Sequence, residues 1–121
     1  EDTSIEMLYQ EGMNIIEQLE QDTSYNDNQK WILADYKRII VNEYGKFALA
    51  QHQNDRAKDY FDQTTILAER MISNGRLDLN RYIVEAAEQY LELCAEEELK
   101  LQKNVDRKET VERWKRELKN R

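Results

Sequence analysis

An all-α fold, an antiparallel bundle of four to five helices, follows from three observations on this sequence. The 121 residues contain no proline and only three glycines, Gly12, Gly45 and Gly75. From Arg76 to Arg121 there is neither, whereas strand and turn architectures need such residues for tight turns. Glutamate, glutamine, lysine, leucine and alanine abound, and apolar residues recur with helical spacing. A chain of this length is expected to form a single domain, 1–121, around one core.

The first segment runs from about Ser4 to Gln21. Ile5, Leu8, Gly12, Ile15, Ile16 and Leu19 share one apolar face, and Thr3 with Glu6 makes a capping box. The polar stretch from Asp22 to Asn28 predicts a loop. The second segment, about Asn28 to His52, has apolar residues nearly all round, which suits a central helix contacted on several sides. Gln53-Asn54-Asp55 is the next break, with Asn54 or Asp55 as N-cap.

The third segment, about Asp55 to Ser73, places Ala57, Phe61, Thr64, Ala68 and Met71 on one stripe, and Asn74-Gly75 stops it. The fourth starts near Asp78 and is expected to bury Tyr82, Ile83, Ala86, Ala87, Tyr90, Leu93 and Cys94. The fifth is a basic amphipathic helix over about 106–120 whose apolar edge is only Val111, Trp114 and Leu118. Lys103-Asn104-Val105-Asp106 is the expected break between the last two, marked by a new cap rather than by glycine or proline.

Charge is distributed unevenly. Residues 1–102 carry 10 basic and 21 acidic side chains, residues 103–121 eight basic and four acidic. An acidic body argues against nucleic acid, which is held through phosphates by a positive surface. No stretch approaches the roughly 20 apolar residues of a membrane span, and the basic residues of the last segment surround its apolar edge rather than forming one face. Cys94 is the only cysteine, which excludes an internal disulfide and fits a reducing, cytoplasmic compartment. The chain starts at Glu1, a start that a tag, an engineered boundary or a cleaved signal peptide would each produce.

Gly45, Ala57 and Phe61 set a small residue where two helices cross, then an alanine and an aromatic on the second helix. Together with the run Asp55-Arg56-Ala57-Lys58-Asp59-Tyr60-Phe61, this resembles one tetratricopeptide helical hairpin over about residues 41–71. The other positions of that family's pattern fall on Val41, Tyr44, Ala48, Thr64 and Glu69, and no second copy of the repeat is present. The resemblance implies a peptide- or protein-binding scaffold rather than an enzyme.

Catalytic provision is thin. With one histidine, His52, and one cysteine, no zinc site built on those ligands reaches three donors, and no glycine-rich phosphate loop or nucleophile elbow is present. Neither a catalytic residue nor a cofactor is expected. Glu85 with Glu88, and Glu109 with Glu112, could hold Mg²⁺ if they faced one another. That arrangement looks distantly like the all-α nucleotide pyrophosphohydrolases of the MazG kind, in which an aspartate usually stands where Glu112 does here.

The favoured reading is a protein–protein interaction module, an adaptor or chaperone-like domain that buries apolar and aromatic side chains of a partner peptide or helix. The acidic body would select a basic partner. Tyrosine and tryptophan join apolar area to a polar tip, so Tyr36, Tyr60, Trp114 and Leu118 are the expected contact residues. The narrow Trp114 edge must dock on its own body, on another protomer or on a partner, which keeps a self-assembling structural protein open as the alternative.

Overall fold

The structure, a computed structural model, describes residues 3–121 apart from the side chain of Thr3, so the expected Thr3–Glu6 capping box lies outside the described residues. Its helices are α1 Thr3–Glu20, α2 Asp27–Ala50, α3 Asn54–Ser73, α4 Arg81–Leu93 and α5 Gln102–Lys119, with a 3-10 turn at Glu98–Lys100. Among the described residues there is no strand, and none of these helices is long and apolar enough to cross a membrane.

Local chemistry sets the boundaries. Asn26 and Gln29 close a reciprocal capping box at α2, each side-chain oxygen accepting the other's backbone N–H at 2.8 Å. At the far end of α2 the chain reverses through His52, whose φ is +60°. His52 N–H donates to the Leu49 carbonyl and Gln53 N–H to that of Ala48, the hydrogen-bond pair of a Schellman motif. Gln53 is thereby already the N-cap position of α3, one or two residues before the Asn54 or Asp55 expected from the sequence. Gly75, φ +67°, closes α3 in the same way. The Asn80 side chain accepts from the N–H groups of Tyr82 and Ile83, so α4 begins at Arg81 rather than near Asp78.

The break before α5 exists, but lies earlier in the chain than Lys103–Asp106. α4 ends at Leu93, ahead of Glu96-Glu97-Glu98, so those carboxylates never sit at its negative C-terminal pole. Asn104, read from sequence as part of a loop, is fully buried in the first turn of α5. Its Oδ1 accepts from the Tyr90 hydroxyl and its Nδ2 donates to the Glu98 carbonyl, both at 2.6 Å. This one amide ties α4, the corner and α5 together. Lys58 of α3 reaches the Glu98 carboxylate at 2.8 Å.

Successive helices run antiparallel, each packed chiefly on its neighbours in the chain. The tightest crossing joins α2 to α3. A β-carbon placed on Gly45 would stand 2.8 Å from Phe61 Cε1, closer than real contacts allow. Ala48, Ala57 and Phe61 continue that seam to Ala86 and Tyr90 of α4. Trp114, 1% exposed, anchors α5 among Ala68, Leu79, Ile83 and Val84. Two sequence expectations fail here. Tyr82 lies off the 83–86–87–90 stripe and is 75% exposed. In α1 the buried face is Tyr9, Met13 and Ile16, because the Tyr9 ring stacks on Tyr44; Leu8 and Ile15 are left outside.

Gly45→Ala is expected to lower stability by about 1–2 kcal/mol, overpacking against Phe61 outweighing the gain in helix propensity, with Phe61→Leu partly restoring it in chemical denaturation. His52→Gly is expected to raise stability by about 0.5–1 kcal/mol by relieving a left-handed non-glycine residue. The Glu98 carboxyl is held below its ordinary range by the Lys58 ammonium and the Ala95 N–H, and Lys58 is raised in turn. A lowered carboxyl stabilises the fold above its unfolded pKa and loses that contribution as pH falls through the folded value. Amide exchange at Ala95 should therefore show acid-induced opening in wild type that Glu98→Gln, open at neutral pH already, lacks.

Candidate functional site

α2 and α4 lie on the same side of α3 and leave a groove between them, a space of about 320 Å³. Asn42, Lys46 and Leu49, spaced i, i+4, i+7, project from α2 on one side, and Tyr82, Glu85 and Gln89 line up on α4 opposite. Phe61 and Ala86 form the floor. The floor is therefore apolar and the walls polar, with Lys46 drawn toward Glu43 of its own helix at 3.3 Å.

Asn42 decides the chemistry of this groove. Its Oδ1 is buried without a hydrogen-bond partner, one of two such side-chain atoms among the described residues, the other being Thr64 Oγ1. A buried acceptor left unpaired costs about 1–3 kcal/mol. Thr64 is enclosed in the α3 core face, whereas Asn42 lines the groove, so a turn of its side chain would bring the amide to a ligand there. A peptide bond carries both a donor and an acceptor and so matches a side-chain amide in either orientation.

The residues expected from sequence are not brought together. Tyr36 is exposed on the outer side of α2, beside a separate cleft with Trp31 and Ile32. Trp31 itself is held by the Arg70 and Arg76 guanidinium groups, 5.6 and 5.8 Å from its ring centroid. Tyr60 is half-buried between Tyr9 and Tyr44, with ring centroids 5.1 and 5.6 Å away, and burial raises its hydroxyl pKa. Trp114 and the partly buried Leu118 dock on the protein's own core, so neither offers a free contact surface. Of the three destinations open to that edge, the structure takes the first.

Asn42, Tyr82 and Gln89 were missed. The usable signal was an asparagine, a weak helix former, directly after Ile39-Ile40-Val41 in the middle of a long helix. Among the described residues no group of three or more His, Cys, Asp or Glu side chains is placed to hold a metal ion. Glu88 instead pairs with Lys115 at 2.9 Å, so the two glutamate pairs do not form the Mg²⁺ site the spacing allowed. His52 is an exposed turn residue and Cys94 a buried thiol beside the Tyr90 hydroxyl. Comparison with protein-family models, with curated proteins and with solved structures gave no match.

Proposed function

We propose that this chain is a non-enzymatic protein-interaction module that holds a peptide segment of a partner in the groove between α2 and α4. The observation that carries the reading is the unpaired amide oxygen of Asn42, a residue that lines that groove. A peptide backbone pairs with the amide once that side chain turns outward, while apolar side chains settle on Phe61 and Ala86, and Tyr82, already outside, closes over the segment. The tetratricopeptide-like character of residues 41–71 supports the same reading, since Gly45 against Phe61 sets how deep the groove is. The acidic body disfavours nucleic acid, and a single buried thiol fits a cytoplasmic setting.

A screen of the protein against an immobilised library of short peptides tests this. Wild type is expected to enrich a defined set. Asn42→Leu should bind that set roughly tenfold more weakly while gaining about 1 kcal/mol of stability, because an apolar isostere removes the unpaired acceptor. Equal enrichment by Asn42→Leu and Tyr82→Ala would place binding elsewhere, and an empty screen would end the reading.

A further inference from the structure

A second surface lies outside the groove. Among the described residues ten large apolar side chains are exposed, and seven of them belong to α1 or α2. On α1, Leu8 and Ile15, 67% and 57% exposed, share a line with the partly exposed Leu19; on α2, Ile32, Tyr36 and Ile39 form another. α3 meets α1 through Glu6 and Tyr9, and α2 through Trp31 and Gly45. At about 100° per residue, both lines fall on the sides turned away from those contacts. The half-buried Ile40 and Phe47 of α2 pack on the Tyr9–Tyr44 cluster that joins the two helices.

The charge around this face leans acidic, since Lys37, Arg38 and Lys46 of α2 are already paired with Glu20, Asp35 and Glu43. Residues 1–29 hold eight acidic side chains and no lysine or arginine. A patch of exposed apolar side chains marks an interaction surface, and its charged surroundings select what docks there. We infer that the outer face of α1 and α2 binds a basic amphipathic helix of another protein, apolar stripe to apolar stripe, with its lysines and arginines set over Glu11. A second copy fits poorly in both ways it could approach. Face to face, two acidic α1 helices repel. The chain's own basic helix, α5, has turned Val111, Trp114 and Leu118 into its core and has no apolar edge left to offer. An anionic membrane surface is repelled by the same carboxylates.

The test is binding of the full chain to three synthetic helical peptides of equal length: leucine–lysine, leucine–glutamate and serine–lysine. Only the leucine–lysine helix is expected to bind, weakening as salt rises. Leu8→Gln with Ile15→Gln should weaken it roughly tenfold, as should Glu11→Lys. These positions are exposed, so helicity by circular dichroism should not change. Equal binding of the serine–lysine peptide would overturn the inference, since charge alone would then suffice. A dimer in light scattering that the Leu8/Ile15 double variant abolishes would replace it with self-association, and binding of anionic vesicles lost in the same variant would replace it with a membrane surface. Loss of the leucine–lysine helix in Asn42→Leu, with full binding by the Leu8/Ile15 variant, would assign that helix to the groove and leave the groove reading standing.

Discussion

The crossing of α2 over α3 at Gly45 and Phe61 is the contact on which the rest of the molecule depends. Only the missing β-carbon lets the Phe61 ring lie against the α2 backbone, and Ala48 and Ala57 extend the close approach. Phe61 then meets α4 from its other side and forms the floor of the groove. Helix spacing, the seat of α4 and the depth of the groove are therefore consequences of one small-to-large pairing in a close-packed interior, where volume changes of a single methyl are felt.

The uneven charge of the chain is largely resolved within the fold. Asp62 of α3 receives Arg107 at 2.7 Å and Lys103 at 3.7 Å from α5, and Glu69 receives Arg113 at 2.8 Å. The basic tail is thus the counter-ion of the acidic middle of the chain. α1 has no such neighbour along most of its length. Lys37 meets Glu20 and Arg56 meets Glu6, leaving the carboxylates between them facing solvent.

Helix number, type and approximate extent were legible because glycine, proline and apolar periodicity act locally. The Gly45–Ala57–Phe61 pairing was legible too, since residue size alone dictates where helices can approach. The α4–α5 break was not placed correctly because Asn104 reads as a cap by type, while its role comes from the Tyr90 hydroxyl and the Glu98 carbonyl, both non-local partners. The face that α1 buries was misjudged for a related reason: hydrophobicity ranks Leu8 and Ile15 above Tyr9, but stacking on Tyr44 turns the helix the other way. The groove escaped because an unpaired acceptor is a property of a packed neighbourhood, and the mid-helix position of Asn42 is the one trace it leaves in the sequence.

Because each helix packs chiefly on its chain neighbours, most native contacts close short loops. Such a chain has a low contact order and folds fast, one hairpin templating the next. It also comes apart like a stack, from its ends. One of those ends is α1, anchored by the buried side chains of Tyr9, Met13 and Ile16, so a protein that grips its outer face acts as a clasp on a part of the stack ready to open.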